Sequence, residues 1–102
     1  MEKLPTSSRA AATGTVTPAV TVRYWAAARA AAGRAEDVVS GDSVADVLAA
    51  VRLVHAANPR LLQVLGVSSL LLGDSPLGSR DLADVRVDHG DILEVLPPFA
   101  GG

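Results

Sequence analysis

The residues best suited to do chemistry in this chain are its last six, Pro97-Pro98-Phe99-Ala100-Gly101-Gly102. Ala-Gly-Gly has almost no side-chain bulk, and six extended residues span roughly 20 Å. Such a segment can reach into a narrow channel on another protein. Its tip, read as the chain end, is a free α-carboxylate, which resists nucleophilic attack as it stands. Once AMP is transferred onto it from ATP the carbonyl becomes a good electrophile, and sulfide or a persulfide can displace AMP to leave a thiocarboxylate. Glycine suits the position because, lacking Cβ, it lets an attacking group come close and adopts torsions other residues avoid. A Gly-Gly end by itself is commonly idle. The strongly apolar run directly before it and the paired prolines that steer the exit away from a sheet point to use.

Other candidate groups are few. The chain has no Cys, which removes disulfides, thiolate catalysis and Cys-ligated zinc. Two His leave little for an imidazole metal site, and no metal site is expected. His89, in the polar turn Asp88-His89-Gly90-Asp91, reads as solvated, and His55 reads as a partly buried helix-edge residue, so no Ser-His-Asp arrangement follows. No G-x-x-x-x-G-K run is present, so the chain itself is not expected to bind ATP. A net charge of −2 with a single Lys argues against a nucleic-acid footprint, which would be basic. No stretch nears the roughly 18–20 apolar residues of a membrane span, and Thr13-Gly14-Thr15 interrupts what would be the apolar core of a signal peptide. A cytoplasmic location is the default expectation. Asp81, Asp84, Asp88, Asp91 and Glu94 make the last third acidic, either as ordinary surface charge or as the complement of a basic partner surface.

The elements that must carry the tail follow from periodicity. A length of 102 residues is one domain's worth. Ala supplies 18 of the 50 hydrophobic residues and Leu, Val and Ile only 28, so the core is small. Residues 1–18, rich in Ser, Thr, Ala and Pro without a period, are predicted to be a disordered leader, followed by a domain over 19–96 and an extended tail over 97–102. Val20, Val22 and Tyr24 alternate with polar residues, giving a first strand. Tyr24 and Trp25 point to opposite faces, Tyr24 towards the core. Residues 26–32 form a short helix or a wide turn ending at Gly33, and residues 35–39 a second strand, with a hairpin plausible between the two strands. Ser43 with Asp46 three residues on gives an S-x-x-D helix start, and Val44, Val47, Leu48, Val51 and Val54 form one helical stripe ended by Asn58-Pro59. Pro59 opens a short second turn with Leu61, Leu62 and Leu65, closed by Gly66. Ser69–Leu72 is a third strand, residues 77–87 a loop-rich stretch with at most one minor strand, and Ile92–Leu96 a strongly β run ended by Pro97-Pro98. The order β-β-α-β-(β)-β predicts an α+β layer pair, a sheet with one main helix on one face.

Three stretches carry a resemblance: residues 22–29 through Gly33 (Val-Arg-Tyr-Trp-Ala-Ala-Ala-Arg), residues 41–48 (Gly-Asp-Ser-Val-Ala-Asp-Val-Leu), and residues 90–102, ending in Pro-Pro-Phe-Ala-Gly-Gly. On these the chain resembles the MoaD/ThiS family of ubiquitin-like sulfur carriers, nearer its MoaD side, because ThiS-like members are usually shorter and lack the paired Pro. The family fold is the β-grasp, a mixed sheet with a main helix, in agreement with the order read above. The resemblance implies that an E1-like (MoeB-like) adenylyltransferase activates Gly102 with Mg-ATP and that a sulfur donor protein converts it to the thiocarboxylate. It also implies that the tail enters the MoaE-like large subunit of molybdopterin synthase, a heterotetramer, to build the molybdopterin dithiolene from cyclic pyranopterin monophosphate. Gly102 would then be the reacting residue, and Pro97, Pro98, Phe99, Ala100 and Gly101 the partner-binding tail. The chain itself would hold no cofactor, and the catalytic side chains would belong to its partners. A long leader and the absence of an Asn common in the turn at Leu71-Leu72-Gly73-Asp74 depart from the family pattern without touching the tail. A carrier for thiamine or cysteine synthesis, a ubiquitin-like modifier of lysines and a plain interaction domain are the other readings; either carrier and the modifier would use the same activated Gly102.

Overall fold

A computed structural model of the chain describes residues 16–98. The element order is β1 (Ala19–Tyr24), α1 (Ala26–Ala32), β2 (Glu36–Ser40), α2 (Val44–Val54), α3 (Pro59–Val67), β3 (Ser69–Leu72), β4 (Ser75–Pro76), a 3-10 turn (Leu82–Asp84) and β5 (Ile92–Leu96). The sheet has five strands in the spatial order β2-β1-β5-β3-β4. β1 pairs antiparallel with β2 and parallel with β5, and β3 pairs antiparallel with β5 and β4. The first and last strands are therefore parallel neighbours at the centre.

The alternation in β1 sets the inward face. Val20, Val22 and Tyr24 are buried, as are Leu93 and Val95 on β5, while Thr21, Arg23 and Glu94 lie on the other face. Val44, Val47, Leu48 and Val51 of α2 close over them with Leu61 and Leu65 of α3. Leu77, Val85 and Val87, all in the loop-rich stretch, complete the core. A bridge between Ser43 and Arg86, flanked by Val44 N–H to the Val85 carbonyl at 2.9 Å, pins that stretch to the start of α2. The Pro18 carbonyl, just before β1, accepts from Gly41 N–H at 3.1 Å. The rest of the predicted leader, residues 1–15, lies outside the described residues.

Three helices flank the sheet rather than one main helix alone. The alanine run resolves as α1: seven residues are too few to stand alone, but Ala28 is buried and the helix packs against α3. Asn58 joins the two, its Nδ2 donating to the Ala31 carbonyl at 2.8 Å while its Oδ1 caps Leu61 N–H at 3.1 Å. α3 runs one residue past Gly66, ending where Ser68 Oγ donates back to the Val64 carbonyl. On α2, Ser43 Oγ accepts from Asp46 N–H at 3.1 Å as the spacing predicts. Val54, placed on the stripe by the sequence, is 56% exposed, and His55 takes the inward position at 6%.

Gly41, at the turn into α2, is buried for a steric reason. A Cβ there would lie 2.8 Å from the Val47 backbone N and 2.9 Å from Asp46 Cβ. Backbone cannot yield as a flexible side chain does, so Gly41→Ala is expected to destabilise by about 1–3 kcal/mol. Thermal unfolding measures this directly, and an unchanged midpoint would show that the turn shifts freely.

Candidate functional site

The site is built on β5, since that strand delivers the tail. β5 is hydrogen-bonded on both sides, to β1 and to β3, so it lies in the interior of the sheet. Its core residues, Leu93 and Val95, are fully buried. At its end Leu96 stands in register with Ser69, and the next backbone N–H beyond β1, that of Trp25, donates to the Val95 carbonyl at 3.2 Å. Pro97 is half-buried and Pro98 exposed. Phe99, Ala100, Gly101 and Gly102 lie outside the described residues.

Trp25 borders this exit. Its ring is 42% exposed, and its Nε1 donates to Glu94 Oε1 at 2.9 Å, which fixes the indole against the outer face of β5. The turn that puts it there is strained: Ala26 has φ 47°, a left-handed conformation that disfavours any side chain. Tyr24 faces the core, as the alternation requires. Around the exit the outer face presents Leu71, Leu96 and Pro76 beside Glu94, with Arg23 and Glu36 paired across β1 and β2 at 3.7 Å.

A second cluster was not legible in the sequence. Asp37, on edge strand β2, accepts from Tyr24 OH at 2.7 Å and pairs with His55 Nε2 at 2.8 Å through Oδ2, while Oδ1 accepts from Arg34 at 2.8 Å. The Asp37 and His55 side chains are 9% and 6% exposed, and the His55 ring stands edge-on to Tyr24. Burial pushes the Asp37 carboxyl up, but the hydrogen bonds from His55 and Tyr24 and the nearby charges outweigh it, so its pKa falls below the ordinary value. Burial, and then the bond to Asp37, hold the Tyr24 hydroxyl far above its ordinary range. The cluster joins β1, β2 and the end of α2; Tyr24 and His55 are buried, Arg34 opens it to solvent, and it is remote in sequence from the tail. His55 is thus a structural residue held by a carboxylate. His89 is exposed and accepts from Ala19 N–H through Nδ1 at 3.2 Å. Among the described residues no group of three His, Cys, Asp or Glu side chains is arranged to hold a metal ion, and no helix is long and apolar enough to cross a membrane.

A mixed sheet with parallel first and last strands at its centre and a capped helix across one face defines a ubiquitin-like β-grasp protein. Within that class its likeness is to small proteins of the MoaD/ThiS kind. The solution structure of small archaeal modifier protein 1 from Methanosarcina acetivorans is similar with a TM-score of 0.69 and 25% identity, over 85% of this chain and 99% of that one. The crystal structure of the Haloferax volcanii protein of the same name matches with a TM-score of 0.65 and 24% identity, over 82% of this chain and 99% of that one. Subunit 1 of molybdopterin-converting factor from Helicobacter pylori, solved in complex with subunit 2, shares the fold with a TM-score of 0.58 and 21% identity, over 82% and 99% of the two chains. No protein-family model and no curated protein matches the sequence.

Proposed function

We propose that the chain is a ubiquitin-like sulfur carrier that works from Gly102 as the small subunit of a molybdopterin synthase. The observation that carries the reading is the union of a fully paired central strand with a Pro-Pro-Phe-Ala-Gly-Gly exit, in a fold shared with molybdopterin-converting factor subunit 1. In the first step the Gly102 carboxylate attacks the α-phosphorus of Mg-ATP on an E1-like enzyme, and pyrophosphate leaves. In the second, hydrosulfide from a sulfur donor adds to the acyl carbon. AMP departs with the electrons of its C–O bond, and a proton is lost, leaving the thiocarboxylate. The large subunit then takes the tail and passes the sulfur to cyclic pyranopterin monophosphate, two charged carriers serving each dithiolene. All of this is cytoplasmic chemistry. The β-grasp domain supplies a rigid mount, and the partners supply the catalytic side chains.

Phe99 anchors the tail in the large subunit, because the two prolines before it direct the chain outward. Phe99→Ala is expected to weaken that association at least about ten-fold, roughly the 1.4 kcal/mol of a lost interface contact. Equal affinities of the two forms in a calorimetric titration would remove Phe99 from the interface.

Likeness to small archaeal modifier protein 1 supports a second reading, a modifier joined to lysines through the same activated Gly102. Incubation with the activating enzyme, ATP and sulfide separates the two. Thiocarboxylate formation followed by molybdopterin synthesis with the large subunit supports the carrier, whereas a ladder of protein adducts supports the modifier.

A further inference from the structure

Between α2, the end of α3 and the outer edge of β3 lies a cleft of about 450 Å³. Leu48, Leu65 and Leu82 line it, together with Arg52 from α2 and Arg80 from the turn after β4. The fold explains the opening. β4 pairs only with Leu71 and Leu72, so no strand covers β3 at Ser69 and Leu70 beyond the single bond from Leu77 N–H to the Leu70 carbonyl. Gly78, with φ 56°, then turns the chain back towards the helices, and Arg80 N–H closes that turn on the Leu77 carbonyl at 3.1 Å. Among the described residues neither Arg52 nor Arg80 has an ion-pair partner; the ion pairs engage Arg23, Arg34 and His55. Asp81, next to Arg80, has its Oδ1 turned to the Ala83 N–H at 3.0 Å. A chain of net charge −2 therefore carries here two arginines that have no ion-pair partner among the described residues, beside an apolar floor.

We infer that this cleft docks an acidic peptide segment of a partner protein, one that lays an apolar side chain on the leucine floor and sets flanking carboxylates against Arg52 and Arg80. Guanidinium forks match carboxylates bidentately and are weakly hydrated, which suits a rim contact made over an apolar surface. Gly66 and Gly78 in the wall leave room for a peptide backbone. The location favours a macromolecule over a small anion. Ser69, which lines the cleft, is the register partner of Leu96, so the cleft opens one strand away from the tail exit. A partner that grips the tail brings its own surface within reach of it. The inference does not depend on acyl chemistry at Gly102.

A heteronuclear NMR titration of the full chain with the peptide acetyl-Glu-Asp-Leu-Glu-Asp-amide at low ionic strength tests it. The amides of Ser69, Gly78 and Ser79 are expected to shift and saturate, and the apparent affinity is expected to fall about ten-fold in 0.5 M salt as the charges are screened. The double variant Arg52→Glu, Arg80→Glu should abolish the shifts, with an otherwise unchanged spectrum showing that the fold is kept, since both side chains are exposed. Absent shifts, shifts that persist in the double variant, or equal binding of the peptide with Asn and Gln in place of its acids would overturn the inference. So would inorganic phosphate producing the same shifts at the same concentration, which would make the cleft a small-anion site.

Discussion

Removal of Gly102 is expected to lower sulfur transfer at least about a thousand-fold, some 4 kcal/mol of barrier, while leaving the unfolding temperature unchanged. The truncated chain still ends in a glycine carboxylate, but that group stands one residue, about 3.5 Å, short of its former reach. Misplacement of reacting atoms by a single ångström already removes about a hundred-fold of rate. Stability is spared because the described core runs from Val20 to Val95, all of it ahead of Gly102 in the sequence. One residue appended after Gly102 should be as damaging, since it moves the activatable carboxylate too far and gives it a different side chain. Activity assays with the activating enzyme and large subunit, beside a thermal melt, distinguish this from the plain interaction domain, for which neither change would matter.

The largest stability effect is expected at Asp37. Its carboxylate serves Tyr24, His55 and Arg34 at once from a side chain only 9% exposed. Asp37→Ala leaves a buried hydroxyl and a buried imidazole without their acceptor, and opening such a group costs about 3 kcal/mol. For a domain of this size that is a fall of roughly 12–20 °C in melting temperature. Tyr24→Phe removes one donor and keeps the ring, so it should cost only about 1 kcal/mol. The pH dependence has a definite sign. The folded-state pKa of Asp37 lies below its ordinary 3.8, so its stabilisation is complete above that value, where the carboxyl is ionised in both states. It is lost as the pH falls through the folded-state pKa. The gap in melting temperature between the parent and Asp37→Ala should therefore be full near neutrality and narrow in acid. A gap that does not change with pH would mean the loss is one of packing alone.

These two sites differ in how far the sequence reveals them. The tail is proposed from the sequence alone, where small residues, prolines and an apolar strand suggest its chemistry without any neighbours, and residues 99–102 lie outside the described residues. β1 and β5 were legible through alternation and flanking breakers, and Ser43 through its spacing to Asp46. The exchange of Val54 for His55 was within reach of the helical wheel. At about 100° per residue His55 lies roughly 30° from the centre of the four buried positions, Val44, Val47, Leu48 and Val51, and Val54 roughly 70°, so of these two stripe positions the histidine is the one turned inward. α1 stayed open because its helicity depends on packing against α3, a contact no local pattern contains. Asp37 was not legible at all. Its partners come from β1, from the loop before β2 and from the end of α2, and sheet pairing and helix placement alone bring them together. The Arg52–Arg80 cleft likewise joins residues 28 positions apart across two helices and a hairpin.

The central claim, that the Gly102 acyl group becomes reactive only once a nucleotide is placed on it, is tested most directly by intact-mass spectrometry of the full chain. The protein is incubated with an E1-like adenylyltransferase, Mg-ATP and a sulfur source. A gain of about 16 Da, the exchange of one carboxylate oxygen for sulfur, is predicted, dependent on ATP and localised to the C-terminal peptide. No gain, or the same gain in a chain carrying one further residue beyond Gly102, would contradict it.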